Sequence, residues 1–113
     1  PPEALEALAQ LYLESGDEDR ALGLHEQLLE LGRRKPEILY NTALLYQKRG
    51  HLARAIELYR EVIGERPDFA EALLNLGHAL YQQGQPEEAR RLWGKALELN
   101  PELAREYFAW HQV

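Results

Sequence analysis

Four histidines, His25, His51, His78 and His111, are the residues of this chain best suited to proton transfer or metal binding. No two of them stand at i, i+4 on one helix, and no cysteine is present to complete a ligand set. The spacing therefore predicts no metal site and no thiol nucleophile. Ser15 has no histidine at a spacing that would activate it, and the glycines are isolated, so no loop is built to cradle a phosphate. The carboxylates are spread along helical segments, where they are solvated rather than catalytic. One basic run, Arg33-Arg34-Lys35, is expected to neutralise a helix C-terminus near Leu31-Gly32, with contact to an acidic partner as the alternative. No catalytic residue and no cofactor is expected from these groups.

The elements that must position them repeat. Gly16, Gly50 and Gly84 recur every 34 residues, and Ala21, Ala55 and Ala89 keep the same interval. Leu5, Leu39 and Leu73 are in phase, as are the small residues Ala9, Ala43 and Gly77. Internal repetition at this length predicts stacked units that share one core. Each unit reads as helix, turn, helix. In the third, Leu73, Leu76 and Leu80 make one apolar stripe, Gly84 stops the helix, and Pro86 opens the next. Small residues at the helix crossings allow close approach.

The total charge and length set further bounds. The chain has 113 residues, is 45% hydrophobic and 28% charged, and carries a formal charge of −6. That suits one small folded unit and disfavours nucleic-acid binding, which needs a basic face. No apolar run is long enough to insert directly into a membrane. The start at Pro1-Pro2 and the absence of methionine suggest a fragment of a longer protein, so localisation is unknown from these residues.

The third unit, "AEALLNLGHALYQQGQPEEARRLWGKALELNP", resembles a tetratricopeptide repeat through Leu76-Gly77, Gly84, Ala89, Trp93, Ala96 and Pro101. The second is similar through Leu39, Ala43, Tyr46, Gly50, Ala55, Tyr59 and Pro67, departing at Thr42 and Val62. The first departs at His25, Leu28 and Arg33, and His25 is expected to pack where the other units have aromatics. The resemblance implies an all-α, right-handed superhelical α-solenoid of antiparallel helix pairs. The units are expected at about residues 2–35, 36–69 and 70–103. A capping helix over 102–112 should bury Tyr107 and Trp110 against the third pair.

The same resemblance implies a non-catalytic interaction module whose first helices line a concave, peptide-holding face. Carried over by phase, that face is Tyr40, Asn41, Leu44, Gln47 and Lys48 in the second unit. It is Leu74, Asn75, His78, Tyr81 and Gln82 in the third, continued by Arg105 and Phe108. Glu3, Glu6, Gln10 and Glu14 belong to it in the first unit. Tyr40, Leu44, Leu74, Tyr81 and Phe108 are expected to form an exposed apolar row, with packing against a neighbouring helix as the alternative. His78 is expected there as a surface histidine or a ligand contact. Asn41 and Asn75 are in phase and resemble an asparagine ladder that pairs with a peptide backbone. The five carboxylates Glu3, Glu6, Glu14, Glu37 and Glu71 against Lys48 and Arg105 favour a neutral, apolar or basic segment over an acidic one. Two alternatives stand beside the scaffold or adaptor role: a regulatory or assembly segment of a larger enzyme, and a self-associating module.

Overall fold

In the computed structural model, which describes residues 1–112, seven α-helices and one 3-10 turn account for the architecture, with no strand among the described residues. Helix α1 is Pro2–Ser15 and α2 Glu18–Glu30; α3 is Pro36–Lys48 and α4 Leu52–Glu65; α5 is Ala70–Gln82 and α6 Pro86–Leu99. The turn Pro101–Leu103 leads into α7, Ala104–His111. Three antiparallel pairs stack along a body of 41 × 28 × 25 Å, and the last short helix closes the end.

The in-phase glycines act as helix stops. Gly16, Gly50 and Gly84 have φ of 82, 81 and 85°, a left-handed conformation that other residues rarely adopt. Each lets the following amide turn back onto the helix: Asp17 N–H donates to Tyr12 O (2.9 Å), His51 to Tyr46 (3.0 Å) and Gln85 to Leu80 (2.9 Å). Asp17 then caps α2 by accepting from the Arg20 amide at 3.2 Å. Asn100 caps the final turn, accepting from Glu102 N–H at 3.2 Å, and Pro101 takes its first position.

The alanines Ala21, Ala43, Ala55 and Ala89 are fully buried where helices cross. Gly77 is tighter still. A Cβ placed there would lie 2.5 Å from Trp93 Nε1, so the third pair requires the missing side chain. Around these crossings Leu28, Leu39, Leu58, Tyr59, Val62, Leu73, Leu76 and Leu80 fill one continuous core. Thr42 sits inside it by donating its hydroxyl to Ile38 O at 2.7 Å, which satisfies the one polar group it brings.

The basic run works inside the molecule. Arg33 pairs with Glu3 at 2.7 Å, Lys35 with Glu6 at 3.0 Å, and Arg34 donates twice to Glu61 at 2.6 and 2.8 Å. That bidentate contact raises the Arg34 pKa and holds Glu61 below its usual value. Lys48 pairs with Glu18 at 2.7 Å and Arg49 with Asp19, so the first and second pairs are also tied along their opposite rim.

Candidate functional site

The expected groove follows the first helices of the pairs, α1, α3 and α5. Its central pocket, about 280 Å³, has Leu44, Gln47 and Lys48 from α3 on one wall, and Asn75, His78 and Gln82 from α5 on the other. Trp110 of α7 closes the far end.

A hydrogen-bonded network sets this surface. Buried Tyr59 on α4 donates its hydroxyl to Gln47 Oε1 at 2.6 Å, and Gln47 Nε2 donates to the Asn75 carbonyl at 3.3 Å. Asn75 Nδ2 donates to Tyr40 Oη at 3.1 Å and to Glu71 O at 3.0 Å. The Tyr40 ring packs on Phe69, centroids 4.9 Å apart. Burial, then the charges of Glu71 and Glu106, push the Tyr40 phenol up to about 12. Burial also raises the Tyr59 phenol. Both tyrosines therefore stay protonated and serve as rigid hydrogen-bonding posts.

His78 differs from expectation. It is 3% exposed, accepts from Trp93 Nε1 at Nδ1 (3.1 Å), and stacks on Trp110 with rings 4.0 Å apart and 9° from parallel. Burial first, and His111 second, lower its pKa to about 4. A neutral imidazole is what this arrangement needs, because a protonated Nδ1 could not accept from Trp93. The ring still borders the pocket, so it shapes the groove from within.

The expected exposed row is partly corrected. Leu74 is 1% exposed and belongs to the core, since α5 is packed on several sides by its neighbours. Tyr40 and Leu44 are half-buried, while Tyr81 and Phe108 are 44% and 60% exposed. Tyr81 borders a second hollow with Gln82, Trp110 and His111. Arg105 and Phe108 do not line the central pocket: Arg105 borders a separate hollow beside Pro101, Glu102 and Ala104. Trp110, assigned from the sequence only to the cap stripe, is the residue by which α7 reaches the groove. Tyr107 packs edge-on against Trp93 at 5.3 Å, as the cap requires.

The two asparagines are not equivalent. Asn75 spends its amide donors internally, whereas Asn41 borders a smaller pocket between α1, α2 and α3, with Glu6, Gln10 and His25. The carboxylate excess on the groove is smaller than the sequence count. Glu3, Glu6 and Glu37 are paired with Arg33, Lys35 and Arg66, because successive units bring these oppositely charged residues together.

Comparison with known proteins agrees with this architecture. The chain is 30% identical over 99 residues to the "Photosystem I assembly protein Ycf3" of Synechococcus sp. (strain WH7803), covering 88% of this chain and 46% of that protein. The namesake of Synechococcus sp. (strain CC9605) is 32% identical over 104 residues, covering 76% of this chain and 60% of the relative. The chain thus spans about half the length of these curated relatives. Among solved structures, a crystal structure of MamA superposes with a TM-score of 0.77 at 26% identity, covering 93% of this chain and 61% of that one. The first TPR of Spaghetti (RPAP3), bound to the HSP90 peptide SRMEEVD, superposes with a TM-score of 0.81 at 21% identity, covering 98% and 90%. Two family models, each described as tetratricopeptide repeat, match residues 4–39 and 40–104, so the chain belongs to the tetratricopeptide repeat family.

Proposed function

We propose that the chain binds an extended segment of a protein partner along the groove, without catalysis, through the central pocket and the residues beside it. The observation that carries this is the pocket itself. Apolar Leu44 and Trp110 lie beside Gln47, Lys48, Asn75 and Gln82, so one strip offers contact area and backbone hydrogen bonding together. Tyr40, Asn41 and Tyr81 extend the strip on either side, and Arg105 and Phe108 belong to its outer end only if the partner continues past α7. The strongly shifted groups have structural employment: Tyr59 holds Gln47, Tyr40 holds Asn75, and His78 holds Trp93. That supports a binding role over a reactive one.

The preferred segment is neutral, apolar or basic. Support comes from the negative field of Glu71 and Glu106 at Tyr40, rather than from the raw count of carboxylates. The neighbour that holds SRMEEVD shows that this fold accommodates an acidic peptide, so the preference here is a matter of side chains. Each hydrogen bond from an asparagine adds only about 1 kcal/mol, so apolar contact must supply most of an affinity near micromolar, about −8 kcal/mol.

The test is calorimetric titration with an acidic-tailed and an apolar-basic peptide pool, using the parent and an Asn41→Ala/Asn75→Ala double variant. Tighter binding of the apolar-basic pool, weakened in the double variant, is expected. Tighter binding of the acidic pool would overturn the preference. Binding untouched by the double variant would move the site off the groove.

A further inference from the structure

We propose that the small pocket at the N-terminal end of the groove binds a primary ammonium group, presented by a lysine side chain or by the free amino terminus of a chain. This rests on the groove being a peptide site, and it names what the first unit selects. The pocket, about 130 Å³, is bordered by Glu6 and Gln10 on α1, His25 on α2, and Glu37 and Asn41 on α3.

Its distinctive feature is a surplus of acceptors. At the in-phase slots of the second and third units, Tyr59 and Trp93 each direct a donor at the first helix of their own pair. Tyr59 donates to Gln47 and Trp93 to His78, so both are satisfied internally. The first unit has His25 in that slot, 3% exposed. Its Nδ1 lies 2.7 Å from the Ala21 carbonyl, which requires the proton on Nδ1. The neutral ring then carries a lone pair on Nε2, and no partner for that nitrogen exists among the described residues. Gln10, which is in phase with His78, does not supply one: its Nε2 faces Glu14 at 3.4 Å.

Glu6, which borders the same pocket, carries a buried oxygen without a partner. Glu6 Oε1 accepts from Lys35 at 3.0 Å, but Glu6 Oε2 is shut off from solvent and has no hydrogen-bond partner. An unpaired buried carboxylate oxygen is costly, and Glu6 borders the pocket in which a donor would meet it. Asn41 adds a third acceptor, with no internal bond to either end of its amide among the described residues. Three acceptors from three helices, one of them anionic, suit the three-donor, compact charge of an ammonium better than a planar guanidinium.

The test is an NMR titration of the full chain with Nα-acetyl-lysine N-methylamide. Three comparison probes share its backbone chemistry: the Nε-acetylated lysine compound, Nα-acetyl-arginine N-methylamide, and glycine N-methylamide with its free amine. Saturable shifts at Gln10, His25 and Asn41 are expected from the lysine or the glycine probe. Whichever of those binds more tightly assigns the source of the ammonium. His25→Phe keeps a ring where Tyr59 and Trp93 stand, so packing survives, as a thermal melt will check. Losing the Nε2 acceptor should weaken binding roughly tenfold, and Glu6→Gln should do the same. Equal shifts from the Nε-acetylated probe, tighter binding of the arginine probe, or unchanged affinity in both variants would overturn the proposal. If peptides shift Asn75 and Gln82 while the lysine and glycine probes leave the first unit untouched, the ammonium site fails and the groove stands. If no peptide and no probe binds, both fail.

Discussion

Gly77→Ala should destabilise the chain although alanine is the better helix former. The new Cβ would stand 2.5 Å from Trp93 Nε1, 2.6 Å from Cδ1 and 3.2 Å from the Ala89 carbonyl. Ordinary contact needs the ring to retreat by about 1 Å. It has little room to do so, because Trp93 is 3% exposed and hemmed by His78, Tyr81, Tyr107 and His111. Overpacking of this kind costs about 1–3 kcal/mol. Moving the indole also stretches its bond to His78, about 1 kcal/mol more, while helix propensity returns about 1 kcal/mol. The net loss is about 1–3 kcal/mol, a fall in Tm of roughly 4–12 °C for a chain of this size. Gly94→Ala is the matched control. It lies in the exposed middle of α6 with nothing within 4 Å of its would-be Cβ, and should raise Tm by a few degrees, about 4 °C at most. Circular-dichroism melts of the two variants and the parent decide the matter. If Gly77→Ala melts with or above the parent, the tight approach of α5 and α6 is not as described, and the small-residue crossing loses its explanation.

Three further outcomes are expected. Ala55→Leu should lower Tm more than Ala53→Leu, since Ala55 is fully buried at a crossing and Ala53 is exposed, with overpacking at the first costing about 1–3 kcal/mol; equal melts would contradict the packing register. Deleting residues 102–113 should destabilise the third pair by uncovering Trp93, read as earlier melting and lower solubility. His78 titrates near 4 when folded against an ordinary 6.5, so the unfolded chain takes up its proton first. Its contribution is whole above about pH 6.5 and is lost as pH falls toward 4. Denaturant midpoints should therefore decline between about pH 7 and pH 5 in the parent and less steeply in His78→Gln, because the latter has no imidazole there to protonate.

The fold was legible because its determinants are local and periodic. Glycine every 34 residues can be read without coordinates, and each of those glycines takes the left-handed conformation that its place after a helix requires. The cap was legible for the same reason, through Asn100, Pro101 and the Tyr107–Trp110 stripe. Parts of the site were not. Phase placed Leu74 and His78 on the groove, but phase cannot say how far a neighbouring helix overlaps that face. Trp110 arrives from the other side of a 3-10 turn, and its stacking turns His78 from a surface group into a wall. The ion-pair partners of the basic run were not legible because they lie 27 to 30 residues away, a distance at which a linear sequence gives no pairing rule. Tyr59 and Trp93 could have been noticed earlier: aromatics with a polar tip in a buried slot need an acceptor, and Gln47 and His78 were the polar residues within reach.

The ion pairs along the first junction give the array unequal stiffness. Glu18–Lys48 and Asp19–Arg49 fasten α2 to α3, but the residues one period later are Leu52, Ala53, Gln82 and Gln83, which carry no charge. The second junction relies instead on apolar burial, with Arg60–Glu88 as a longer contact at 3.5 Å. Added salt shortens the reach of charge, to about 8 Å at physiological strength and about 3 Å at 1 M, and leaves apolar burial intact or strengthened. Ionic strength therefore weakens the first joint more than the second. Added salt thus acts on the contact of α2 with α3, while the central pocket between α3, α5 and α7 is bordered by residues outside these ion pairs except Lys48.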